Sequence, residues 1–196
     1  FTDAERREND VLFSSQIPEC KNAEGKAVEW NIEFQAMDET DKPVMIAQNE
    51  WMRRMKEMSK MQPGMNYYGM MPDSYNLIVN TEHPVVKKVL LQAHAAVDAE
   101  LLSVVNDIKD KEDQIKPLED EKYKAKAGEF AQDKQDILNS LQDDVKALKE
   151  KETETIKKYG ATDSALRQLI DLALLEGGML KGEALATFIK RSQQLL

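Results

Sequence analysis

Val28-Glu29-Trp30-Asn31-Ile32-Glu33-Phe34-Gln35-Ala36 alternates apolar and polar side chains along its whole length. A period of two puts Val28, Trp30, Ile32 and Phe34 on one face, the pattern of a strand with one side buried. Asp38 to Lys42 has turn composition, and Pro43-Val44-Met45-Ile46-Ala47 then predicts a short second strand, so the two suggest an antiparallel pair. Tyr75-Asn76-Leu77-Ile78-Val79-Asn80 supplies a third strand. Upstream, Thr2 followed three residues later by Glu5 is a capping box that opens a short helix. Three strands with helices on one face make a minimal α+β core over residues 1–85, with Trp30 packed on the sheet.

Between the second and third strands the composition becomes unusual. Eight of the ten methionines lie between Met45 and Met71. In Asn49–Met61, Trp51, Met55 and Met58 stand at i, i+4 and i+7, flanked by Met52 and Met61. Arg53, Arg54, Lys56, Glu57 and Lys60 cover the other side. Two readings stay open. The stripe is core, as in most amphipathic helices, or it is a polarizable surface able to repack around varied apolar partners. Gln62-Pro63-Gly64 breaks the helix, and Met65 to Pro72 continues as an apolar loop. Loops run on surfaces, which favours exposure of part of the cluster.

Residues 86–160 change character. Pro84 suits a first helical position, and helix formers follow almost unbroken. Leu90, Val97 and Val104 repeat every seven residues; Leu101, Ile108 and Ile115 do so offset by four, giving the two apolar positions of a heptad. Tyr123, Ala127, Phe130, Ile137, Leu141, Val145, Leu148, Ile156 and Tyr159 form a return segment with a stutter near Val145. The pattern predicts an antiparallel helical hairpin, a coiled-coil arm whose turn falls between Lys116 and Ala131. The rival is one long helix feeding an intermolecular coiled coil, which Pro117 would kink.

Residues 161–196 predict two helices. Thr162 or Asp163 caps the first, Leu166, Leu169, Ile170, Ala173, Leu174 and Leu175 line it, and Gly177-Gly178 ends it. Leu185, Phe188, Ile189, Leu195 and Leu196 line the second. The segment holds four acids and four bases and is rich in leucine, which suits burial. Either the pair packs on the domain's own core, or it meets a second copy in a four-helix bundle about a two-fold axis.

Composition narrows function. A formal net charge of −9 argues against nucleic-acid binding. No apolar run approaches a membrane span, and a single Cys20 rules out an internal disulfide and fits a reducing, cytoplasmic setting. His83 and His94 have no pattern that would make a nucleophile or metal site with Cys20, no carboxylate pair or Ser-His-Asp set is legible, and no glycine-rich phosphate loop opens a helix. The expectation is a fragment that is no enzyme and binds no cofactor or metal. Its start on Phe1 reads as a cut from a longer protein.

The methionine helix, the run Tyr75–Val79 with Asn80-Thr81-Glu82-His83-Pro84-Val85-Val86, and the closing R-Q-L-I-D-L-A-L-L and F-I-K-R-S-Q-Q-L-L resemble the C-terminal domain of the ninety-kilodalton heat-shock chaperone family in its bacterial form. The likeness covers residues 1–90 and 161–196. Residues 91–160 resemble the longer arm of Bacteroidetes-type members. The resemblance implies a constitutive homodimer through a four-helix bundle, with Leu166, Leu169, Ile170, Ala173 and Leu174 on one helix and Leu185, Phe188, Ile189 and Leu196 on the other. It implies contact with non-native client proteins through Trp51, Met52, Met55 and Met58. Ser59 departs from the pattern, standing where some bacterial members keep a large apolar residue. ATP and magnesium belong to an N-terminal domain of that family, with a catalytic arginine from its middle domain; neither domain is matched here. A co-chaperone at the arm is a further possible partner. The alternative is an adaptor protein whose arm recruits a partner while the methionine helix stays in the core.

Overall fold

Local chemistry sets the first element. The Glu5 N–H donates to Thr2 Oγ1 at 3.2 Å and the Thr2 N–H donates to Glu5 Oε2 at 2.7 Å, closing the capping box at the head of α1 (Asp3–Ser14). The computed structural model describes residues 1–21, 25–61, 71–125 and 130–194. After α1 come β1 (Val28–Gln35), β2 (Val44–Gln48), α2 (Glu50–Met61), β3 (Asp73–Asn80), α3 (Pro84–Lys124), α4 (Gln132–Thr162), α5 (Ser164–Glu176) and α6 (Gly182–Gln194). The architecture is α+β, with six helices and one small mixed sheet among the described residues.

The strands run in the order β1-β3-β2, which corrects the expected pairing of the first two. β1 is parallel to β3, with Trp30 opposite Tyr75 and Phe34 opposite Val79; β2 is antiparallel to β3, with Val44 opposite Val79. A parallel pair needs a long crossover, and the stretch containing β2 and α2 provides it. β3 takes the centre because it carries the most buried side chains, Leu77, Val79 and Asn80. The alternation in β1 does its predicted work. Trp30, Ile32 and Phe34 share one face with Tyr75, Leu77, Val79, Val44 and Ile46. Trp30 and Tyr75 rings lie 5.6 Å apart, and the Phe13 ring of α1 meets Phe34 edge-on at 5.8 Å. The opposite face carries Ile78 and Met45 beside polar pairs: Asn76 Nδ2 donates to Glu33 Oε1 at 2.5 Å and Asn31 Nδ2 to Ser74 Oγ at 3.3 Å. At the end of β3, buried Asn80 donates to the Asp38 carbonyl and accepts from the Met37 and Glu82 N–H groups, stapling the turn after β1 to the sheet.

The chain divides into two compact units, Phe1–Gln92 with Gly160–Leu196, and Ala93–Tyr159. The second has a core of its own, Val104, Ile108, Ile115, Leu138 and Val145, with Leu118, Leu141 and Leu148 packed against it. Lys111 pairs with Asp144 at 2.7 Å, Glu112 with Lys149 at 2.6 Å, and Glu121 with Lys134. Both heptad series of α3 are buried, from Leu90 to Ile115. Pro117 does not end its helix, and the expected return segment is corrected at Tyr123, Ile137 and Val145. Pro117 lies inside α3, which continues to Lys124. It withholds an N–H from the Asp113 carbonyl, but Ile115 and Leu118 on either side are held in the core, so packing outweighs the local break. Tyr123 is exposed, and Ile137 is exposed while its neighbour Leu138 is buried. With Leu138 in the seam the spacing 138, 141, 145, 148 is regular, so no stutter is needed at Val145. Ala127 and Gly128 lie outside the described residues.

Candidate functional site

α2 begins where Asn49 Oδ1 accepts the Met52 N–H at 3.2 Å, one of the donors that a helix start leaves without an internal partner. Its polar side is self-braced. Arg53 donates to Glu50 at 2.8 Å and to Glu57 at 2.7 Å, and Arg54 donates to Glu50 at 2.9 Å. Those bonds, first Arg53's and then Arg54's, hold the Glu50 carboxyl down to about 2. Lys56 reaches Asp73 at the start of β3, and buried Ser59 donates back to the Lys56 carbonyl. The predicted apolar stripe divides between interior and solvent. Met52 and Met55 are half-buried, while Trp51 is 58% exposed and Met58 47% exposed. Met61, which flanks the stripe, is 84% exposed. Ser59 is buried, so it lies away from the exposed side of the helix. Met65, Tyr67, Tyr68 and Met70 of the expected apolar loop lie outside the described residues.

The helix pair is read differently by the fold than by the sequence. Asp163 caps α5, its Oδ1 accepting the N–H groups of Ala165 and Leu166, and Gly178 follows the helix with φ +68°. Leu166, Leu169, Ile170, Ala173 and Leu174 are all buried within the single chain, Ile170 at 0% exposure, and α5 packs on β2. A side chain already covered by its own domain has no area left to give a second copy. What the pair still shows to solvent is Leu172 at 37%, Leu175 at 38% and Ile189 at 48%, with Leu185 half-buried and Phe188 buried. Leu196 lies outside the described residues.

A polar cluster that the sequence did not announce joins the pair. Asp171 is buried, and its Oδ2 accepts from Arg191 at 2.7 Å and Arg167 at 3.1 Å. Arg167 also donates to the Gln16 carbonyl at 3.1 Å, and Gln16 Nε2 donates to the Gly160 carbonyl at 2.5 Å. Arg191 Nε donates to Gln168, which in turn donates to Ser192. The spacing of Arg167 and Asp171 at i, i+4 was legible; the partners that complete the cluster are Gln16, just after α1, and Arg191 of α6.

No group of three or more His, Cys, Asp and Glu among the described residues is placed to hold a metal ion, and no described helix is long and apolar enough to cross a membrane.

Comparison with known proteins decides the family. Chaperone protein HtpG of Bacteroides thetaiotaomicron is 39% identical over 186 residues, which cover 95% of this chain and 27% of that protein. Chaperone protein HtpG of Porphyromonas gingivalis is 36% identical over 202 residues, covering 100% of this chain and 28% of that protein. The chain belongs to the HtpG chaperone family. It spans little more than a quarter of the length of these relatives. No family model and no solved structure matches it. As an HtpG segment it shows apolar side chains to solvent on α2, at Trp51, Met58 and Met61, and on α5 and α6, at Leu172, Leu175 and Ile189.

Proposed function

We propose that this chain is the dimerisation and client-contact region of an ATP-dependent HtpG chaperone. The observation that carries the proposal is the exposure of Trp51 and Met58 on a helix that Lys56 already ties to β3 and whose Ser59 is buried. An exposed apolar stripe on a soluble surface is a liability unless something binds it. Thioethers around one indole suit partners of varied shape, so the occupant is a partly unfolded polypeptide held weakly and replaceably. Trp51, Met52, Met55 and Met58 make that contact.

The dimer forms through α5 and α6, in a four-helix bundle with a second copy. The exposed Leu172, Leu175 and Ile189, with Leu185 beside them, are its contact face, and the buried stripe of α5 supports that face from within. Dimerisation raises the effective concentration of whatever domains the rest of the longer protein carries. On this reading ATP and magnesium act in those domains, the setting is the cytoplasm, and the paired helices of the second unit form a coiled-coil arm on which a co-chaperone docks.

The test uses Trp51→Ser with Met58→Ser, the two exposed positions of the stripe. The variant should suppress aggregation of a heat-unfolded model protein less well than the parent chain, with thermal stability little changed. Truncating buried Met or Trp typically costs about 2–5 kcal/mol, so a large fall in Tm would mean that these side chains belong to the core and that the client reading is wrong.

A further inference from the structure

α2 concentrates thioethers where solvent can reach them. Among the described methionines, Met58 and Met61 are exposed; Met37, Met45, Met52, Met55, Met71 and Met179 are half-buried. Met58 lies on the Trp51 stripe and Met61 follows one turn later, so the two border the same patch. The seating and bracing bonds of the helix run through oxygen and nitrogen. Among the described residues they include Lys56 to Asp73, the Met52 N–H to Asn49, Ser59 to the Lys56 carbonyl, and the Glu50, Arg53, Arg54 and Glu57 ion pairs. A change at Met58 and Met61 therefore alters the polarity of the outer surface while leaving the helix anchored.

We propose that Met58 and Met61 form an oxidation site through which hydroperoxides switch off the apolar surface of α2; the proposal rests on the reading of α2 as a client-contact helix. The thioether sulfur gives two electrons to the peroxide. The O–O bond breaks, one oxygen bonds to sulfur as the sulfoxide, and the other leaves as water from hydrogen peroxide or as an alcohol from an organic hydroperoxide. The product is polar and bulkier, and it sets a strong acceptor where an apolar client side chain would pack. The step is reversible: two thiols of a methionine sulfoxide reductase system take the oxygen back as water and end as a disulfide. Exposure selects the site, since a sulfur that peroxide reaches reacts ahead of one behind packed side chains.

The chain is treated with hydrogen peroxide, freed of it, and assayed for suppression of heat-induced citrate synthase aggregation, with peptide mass spectrometry and circular dichroism alongside. Met58 and Met61 should gain oxygen before Met37, Met45 and Met179. Suppression should fall by about fivefold or more at unchanged helicity, and sulfoxide reductases of both stereospecificities should restore it. The Met58→Leu, Met61→Leu variant should keep after peroxide whatever suppression it shows before. Full suppression by the oxidised chain, earlier oxidation of the half-buried methionines, or an equal loss in the leucine variant would each overturn the proposal. An untreated chain that suppresses nothing would overturn the client reading with it, so the two failures are told apart.

Discussion

Lys56 Nζ stands 2.6 Å from Asp73 Oδ1, and this ion pair ties the middle of α2 to the first residue of β3. Both side chains are less than one-fifth exposed, so water screens the pair less than it screens the Arg53 and Glu50 bonds on the same helix. Lys56→Met keeps the stem that covers apolar surface and removes the charge. It should weaken the seat of α2 by about 1–2 kcal/mol, since it removes a charge-assisted hydrogen bond from a partly buried site. A double-mutant cycle with Asp73→Asn, read by urea unfolding, checks this. A coupling near zero would show that the helix is held by other contacts.

The burial of Ile170 decides how the dimer must be tested. Ile170→Asp places a charge at a fully covered site of the α5 core, so it should unfold the Phe1–Gln92 and Gly160–Leu196 unit instead of cleanly separating two copies. Leu172→Asp with Ile189→Asp alters solvent-facing positions. That variant should keep its far-ultraviolet circular dichroism and Tm while light scattering falls from the mass of two chains to that of one. A folded dimer in the double variant would remove the outer face of α5 and α6 from consideration.

Gly160 sits where the end of α4 passes α1. A Cβ there would collide with Ser15 Oγ and lie 3.1 Å from the Leu12 carbonyl oxygen, and the Gly160 carbonyl accepts from Gln16. In an exposed helix Gly→Ala gains up to about 1 kcal/mol in propensity. Here the backbone of α1 must move, so Gly160→Ala should instead destabilise by about 1–3 kcal/mol. Thermal unfolding decides the sign, and a stabilised variant would mean that the two helices separate at no cost.

Which features were legible follows from how local their causes are. The Thr2 and Glu5 box, Pro84 at a helix start and Asp163 as a cap are each decided within four residues, and each stands where the sequence put it. The heptads of α3 were legible because the period repeats many times. Strand order was not: alternation in Val28–Gln35 names the buried face but not the neighbour, and β3 won the centre through burial. Ile137 and Leu138 differ by one position in phase, which apolar content alone does not resolve. α5 has leucines almost all round, so nothing local said that Leu166 and Ile170 turn inward while Leu172 and Leu175 face out. The α2 patch was legible as a stripe, but its division at Met55 and Met58 needed the position of β3.

Glu50 offers a measurement of α2 by pH. Hydrogen bonds from Arg53, then Arg54, lower its carboxyl from the ordinary 4.5 to about 2. The folded form thus holds its proton less tightly than the unfolded one. The contribution of these bonds is fully present above the unfolded value, and it is lost as pH falls from about 4.5 through about 2. The carboxyl is solvent-exposed, so the effect on global stability is small, and the readout is local. The Glu50 side-chain carboxyl carbon, followed by nuclear magnetic resonance, should titrate near 2, and the amides of Trp51 to Arg54 should move with it. Glu50→Gln should abolish that titration and leave the amide shifts flat over the same window. A midpoint at the ordinary 4.5 would mean that the two guanidinium bonds do not persist in solution.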